Sequence, residues 1–136
     1  MRNISLVLLT CTLFLSGHNR AGAQSAGAAG GAEYRRISPA QARTMMLELY
    51  DFILLDVRTA EEFRERRIEG AVNIPHNEIR RRSENELSDK SRAILVYCQS
   101  GRRSENAARA LVSLGYTNVF DLGGIVDWPH ETVSGL

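Results

Sequence analysis

Cys98 stands in the stretch Tyr97-Cys-Gln-Ser-Gly-Arg-Arg-Ser104, a thiol crowded by two arginines, a glycine and two serines. A cysteine attacks as its thiolate, and nearby cations or inward-turned amides favour that form over the neutral thiol, whose ordinary pKa is about 8.5. Gly101 permits a positive φ in the middle of the loop. The amides of Gln99, Ser100 and Gly101 can then converge as a nest for negative charge, reinforced by the N-terminus of a following helix. Such a setting suits nucleophilic catalysis through a covalent intermediate. The opposing reading is a packed, inert core cysteine. Arg103 is the first candidate for contact with an anionic substrate and Arg102 the second, while Ser104 is expected to cap the helix. Asp56 and Arg58 close an apolar run elsewhere and read as a structural pair at a strand end, with Asn73 as a loop hydrogen-bonder. His76 and His130 have no sequence partner that suggests a dyad, and Trp128 reads as core.

The elements that must position these residues alternate. Tyr34 to Ile37 predicts a short first strand. Ser38-Pro39 is a helix start, with serine at the N-cap and proline at the first helical position, and the helix runs to about Leu49. Phe52 to Val57 is an unbroken apolar strand of the kind covered on both faces. Thr59-Ala-Glu-Glu62 has the form of a capping box, opening a helix that ends before Gly70. Ala71 to Ile74 predicts a third strand stopped by Pro75, followed by an arginine-rich, mostly exposed helix over Asn77 to Leu87; Arg80, Arg81 and Arg82 there read as a solvated face. Ala93 to Tyr97 is a fourth strand. Ser104 to Leu114 is a helix with Ala107, Ala110, Leu111 and Leu114 on one face and Gly115 as its stop. Val119 to Leu122 is a fifth strand, and Gly123-Gly124 turns the chain into a last short helix containing Trp128. This alternation predicts an α/β fold: one domain, residues 33–136, with a parallel sheet of about five strands and helices on both faces. Cys98 then falls at the carboxyl end of an inner strand, the edge where open α/β sheets bind ligands.

Composition narrows the function classes. The 136 residues are 43% hydrophobic and 24% charged with a formal net charge of +1, ordinary for one globular domain and without the basic excess of a nucleic-acid surface. There is no CxxC pair and no cysteine–histidine cluster, so no metal site is expected. Arg2, the apolar run Ile4 to Leu15 and Ala21-Gly22-Ala23 form an export signal over residues 1–23, with export to the periplasm or secretion as the expected outcome. The run is short for a membrane span, so no stable membrane insertion is expected after cleavage; uncleaved, it would be an anchor. A lipid-modified Cys11 is disfavoured by Thr10 directly before it. Cleavage takes Arg2 and Arg20 from the 17 basic residues, leaving 15 against 16 acidic ones, a net of −1. It also leaves Cys98 without a disulfide partner in the chain. Residues 24–32 are glycine, alanine and serine with a single glutamine, a flexible linker.

From Tyr34 to Glu131 the sequence resembles the rhodanese family of single-domain sulfurtransferases. The resemblance is carried by "LLDVRTAEEF", "RIEGAVNIP", "YCQSGRRS" and "LGYTNVFDLGGIVDW", four weak motifs in the right order within about a hundred residues. One departure is Arg66-Arg67, where family members often carry Gly-His; it lies away from the cysteine loop and bears on the rim of the site.

The resemblance implies a two-step sulfur transfer. Cys98 takes the outer sulfur of thiosulfate or a related donor as a persulfide and passes it to cyanide or a thiol. Gln99, Ser100, Gly101, Arg102 and Arg103 form the binding loop, and Asp56, Arg58 and Ser104 support it. No metal or organic cofactor is required, and a thiol-redox protein is a candidate partner. Two alternatives stay open. Phosphatases and arsenate reductases with related domains use cysteine, five residues, arginine, a wider loop than the four residues between Cys98 and Arg103. A non-catalytic persulfide-carrying or binding module is the other.

Overall fold

The computed structural model describes residues 33–135; the expected export signal, the linker over residues 24–32, and Cys11 lie outside the described residues. Strand β1 is Arg35–Arg36, helix α1 Pro39–Glu48, β2 Phe52–Asp56, α2 Ala60–Glu65 and β3 Val72–Asn73. A 3-10 turn over His76–Glu78 leads into α3, Ile79–Glu86. Then follow β4, Ala93–Cys98, α4, Arg102–Ser113, β5, Val119–Gly124, and a closing 3-10 turn, Ile125–Asp127. The five strands form one parallel sheet in the order β1-β5-β4-β2-β3, with β4 in the centre.

Side chains alternate across the pleat, so each apolar strand feeds two cores. Ile94, Val96 and Cys98 of β4 join Leu55 and Val57 in a cluster with Ile79 and Leu87, and with Ala107, Ala108 and Leu111 of α4. Ala93, Leu95 and Tyr97 point the other way, toward Leu54, Ala42 of α1, Ile68, Ile125 and Trp128. This is why the β2 and β4 runs show no apolar–polar alternation: both faces are covered. Each fully buried Leu or Ile in these clusters contributes about 1.5–3 kcal/mol relative to exposure.

Local chemistry sets the boundaries. Ser38 Oγ accepts from the Gln41 amide and Gln41 Oε1 accepts from the Ser38 amide, a capping box that holds α1 with Pro39 as its first residue. The Thr59–Glu62 box starts α2 in the same way. Gly115, at φ +95°, follows the end of α4 in the left-handed conformation that closes helices. The helix before β4 is preceded by a 3-10 turn, and only Ile79 and Ser83 of α3 are buried. Arg82 forks between Glu78 and Glu86, and Arg81 also reaches Glu78. Most of the arginine face is thus neutralised on its own helix.

Three sequence expectations change. Helix α4 begins at Arg102, not Ser104, because Gly101 at φ +100° turns the chain directly off β4 and occupies the N-cap position without a side-chain cap. Ser104 is therefore not the cap. It is buried inside the first turn, where its Oγ donates to the Gly101 carbonyl at 2.9 Å and lies 3.4 Å from that of Gly123. The Gly123-Gly124 pair lies within β5, and Trp128 sits just past the last 3-10 turn.

Candidate active site

The carboxyl ends of β4 and β2 build the site. Cys98 is the last residue of the central strand and pairs with Gly124 of β5. The register between β4 and β5 slips after Val96, which faces Asp121, so that Tyr97 faces Gly123. The extra residue, Leu122, makes a bulge that bends β5 beneath the loop. Asp121 accepts the Gly123 amide at 3.0 Å. Gly124 then passes so close to the loop that a Cβ there would overlap the Gln99 carbonyl and lie 2.7 Å from Ser100 Cα. Only glycine permits that approach.

Inside the loop, the Gly101 amide donates to Cys98 Sγ at 3.0 Å. Cys98 is 1% exposed as a residue and packs on the α4 side of the sheet, so anything reacting with its sulfur must enter the loop. The Gln99 carbonyl accepts from the Val126 amide at 3.3 Å, and the Gln99 side-chain oxygen accepts from Arg58 Nη1 at 3.3 Å. Ser100 and Arg102 are exposed, and Arg102 makes no ion pair among the described residues.

Arg103 takes a different position. Its Nη1 and Nη2 donate to Glu62 Oε2 and Oε1, each at 2.8 Å, a two-pronged guanidinium–carboxylate pair. The Arg103 bonds, helped by the Thr59 amide against partial burial, bring the Glu62 carboxyl down to about 2. Arg103 is raised in return, through Glu62 first and with the nearby Cys98 as a lesser contributor. Glu62 is a site residue the sequence reading missed. Its spacing from Thr59 marks it as a cap, and it is one, but its second partner lies 41 positions away. No local pattern carries that signal.

Beneath the loop, Asp56 and Arg58 are both buried and locked together. Arg58 Nε reaches both carboxylate oxygens at 3.1 Å, and Nη2 reaches Oδ2 at 2.7 Å. Burial opposes the Arg58 charge, yet the Asp56 bonds and charge outweigh it and raise its pKa. Nη2 also donates to the Arg66 carbonyl at the end of α2, tying strand to helix. Asn73 donates to the Asp56 and Arg58 carbonyls at 3.0 and 2.9 Å. Tyr97 accepts the Ile68 amide at 3.1 Å, and burial followed by the Asp56 charge pushes its hydroxyl well above the ordinary tyrosine range. His76 is exposed, and His130 meets Trp128 edge-on at 5.0 Å between ring centres.

The structure thus brings Cys98, Gln99, Ser100 and Gly101 into one loop, with Arg102 and Arg103 in the first turn of α4 directly after it, Asp56 and Arg58 beneath it and Ser104 behind it. The family model for the rhodanese-like domain matches residues 38–131. The chain belongs to the rhodanese-like family. Among its relatives, the thiosulfate sulfurtransferase PspE of Escherichia coli is 37% identical over 81 residues, which cover 60% of this chain and 78% of that protein. A thiosulfate sulfurtransferase GlpE from Pseudomonas savastanoi pv. phaseolicola is 32% identical over 108 residues, 76% of this chain and 98% of that one. A rhodanese from Escherichia coli, solved with anions, superposes with a TM-score of 0.57 at 36% identity, covering 61% of this chain and 98% of its own. The five-stranded parallel α/β architecture is the rhodanese fold, and the family and its named relatives support sulfur transfer as the general activity.

Proposed function

We propose that the protein is a rhodanese-type sulfurtransferase that carries sulfane sulfur as a persulfide on Cys98, working outside the cytoplasm after removal of residues 1–23. The observation that carries this reading is the Gly101 amide aimed at Cys98 Sγ from 3.0 Å, inside a loop with only four residues between Cys98 and Arg103. That amide favours negative charge on sulfur, and the dipole of α4 acts in the same direction.

In the first half-reaction, the Cys98 thiolate attacks the outer sulfur of thiosulfate or a related donor. The donor's S–S bond breaks, sulfite leaves with the electron pair, and Cys98 becomes a persulfide. In the second, an acceptor thiolate or cyanide attacks the outer persulfide sulfur, and Cys98 leaves as thiolate. Arg102, exposed and without an ion pair among the described residues, is the cation free to meet the donor's charged end. Arg103, saturated by Glu62, positions the start of α4 beside the sulfur. Neither half-reaction calls for a metal or an organic cofactor.

Intact-mass measurement after incubation with thiosulfate tests this reading. Gain of one sulfur atom on Cys98, removed by cyanide, supports it. Hydrolysis of aryl phosphates with no sulfur gain would overturn it in favour of the phosphatase class.

A further inference from the structure

Residues 132–135 run back across the end of α2. Val133 forms an isolated antiparallel bridge with Arg67: the Arg67 amide donates to the Val133 carbonyl and the Val133 amide to the Arg67 carbonyl, each at 2.8 Å. Two residues on, the Gly135 amide donates to the Arg64 carbonyl at 2.8 Å. Arg67 Nη1 donates to the Gly135 carbonyl and, at 3.4 Å, to that of Phe63, while its guanidinium lies 4.8 Å over the Phe63 ring. None of residues 131–135 is buried, so hydrogen bonds rather than a core contact hold the segment.

This attachment reaches the site through one peptide unit. The bond between Arg66 and Arg67 presents its amide to Val133 and its carbonyl to Arg58 Nη2. In a planar trans peptide the N–H and C=O point in opposite directions, so fixing one aims the other. Arg58 carries on to Gln99 Oε1 through Nη1, at 3.3 Å. Arg66 also ends α2 in an extended conformation, and α2 carries Glu62, the partner of Arg103. Together Arg58, Glu62, Glu65, Arg66 and Gln99 wall a cavity of about 580 Å3 beside the cysteine loop.

We propose that residues 132–135 are a strap, latched by Arg67, that holds this wall and the cysteine loop in register for sulfur transfer. For the reaction it serves, the proposal rests on the sulfur-transfer reading. Arg67 is a positioning residue: it acts on the loop through the Arg66 carbonyl, Arg58 and Gln99, and through the end of α2. A strap made of a few surface hydrogen bonds opens at far lower cost than the central sheet, so its release loosens the loop without unfolding the domain. The loss then falls on the chemical step, where small misplacements of the reacting group matter most.

A chain ending at Glu131 and the variants Arg67→Ala and Arg67→Lys, compared with the unaltered protein, test the strap. In a thiosulfate–cyanide assay the shortened chain should lose about tenfold in kcat, with KM within about twofold. Arg67→Ala should lose a similar amount. Arg67→Lys, which keeps a cation over Phe63 and a donor for Gly135, should recover part of it. Arg67→Ala in the shortened chain should cost no more than the shortening alone, because both remove one latch; fully additive losses would overturn Arg67 as that latch. Hydrogen exchange gives a readout independent of turnover. In the shortened chain, amides over 60–67 and 97–103 should exchange about tenfold faster, with those of α3 unchanged. Faster exchange throughout the domain would mark general destabilisation and overturn the strap, as would unchanged exchange or an unchanged kcat. If the unaltered protein gains no sulfur from thiosulfate, the sulfur-transfer reading fails instead, and the exchange comparison still decides whether the strap holds the loop.

Discussion

Glu62 and Arg103 are joined by two parallel hydrogen bonds of 2.8 Å, so the residue that caps α2 also anchors the helix that leaves the cysteine loop. One carboxylate sets the position of two helix starts on opposite sides of Cys98. Glu62→Gln keeps the size and the Thr59 contact but gives up the charge and the two-pronged geometry. Turnover in a thiosulfate–cyanide assay should fall about 10–100-fold, because small displacements of a reacting group cost rate out of proportion to their size. Full activity in this variant would remove Glu62 from the positioning of the loop.

The same pair predicts a pH signature. Glu62 is lowered from 4.5 to about 2 in the folded chain, so its contribution to stability is complete above pH 4.5 and disappears as pH falls through about 2. The unaltered protein should melt higher than Glu62→Gln at pH 6, and the gap should close on acidification toward pH 2. Thermal melts across that range measure it; a gap that stays constant would show that the pair adds no pH-dependent stability.

Gly124→Ala should damage the site rather than the fold alone. The added methyl meets backbone atoms of Gln99 and Ser100, which cannot swing aside as a side chain could. A cost of about 1–3 kcal/mol in stability is expected, with a larger proportional loss of sulfur transfer, since the strain falls on the loop itself. Chemical denaturation combined with the sulfite-release assay checks both.

Arg58→Ala leaves Asp56 buried without its partner, and loss of about 3–5 kcal/mol is expected. Arg58→Lys should recover part of this, because one ammonium satisfies a carboxylate but cannot also reach the Arg66 carbonyl and Gln99. A lysine variant as destabilised as alanine would show that the fork geometry, rather than the charge, matters at this position.

Cys98→Ser should fold with nearly unchanged stability, since serine is close in size and can accept from the Gly101 amide. It should gain no sulfur from thiosulfate. Retained sulfur transfer in the serine variant would make Cys98 a packed residue and nothing more.

Much of this organisation was legible in the chain. The apolar runs at Phe52 and Ala93, the capping box at Thr59, the serine–proline start at 38–39 and the glycine stop at 115 each act within a few residues, where propensity and capping decide. They suffice to place Cys98 at the carboxyl end of an inner strand, followed by a glycine-bearing loop and a helix. The sequence could not show which partners converge there. Arg103 and Glu62 meet across 41 positions, and Arg58 and Gln99 likewise, because parallel strands β2 and β4 lie side by side. The capping role of Ser104 failed for a related reason. Gly101 turns the chain off the strand at once, and the bulge in β5 brings the Gly123 carbonyl beneath the serine. Local patterns determined the elements and the reactive loop; long-range strand pairing decided which charges are paired, which remain free, and which glycine the loop rests against.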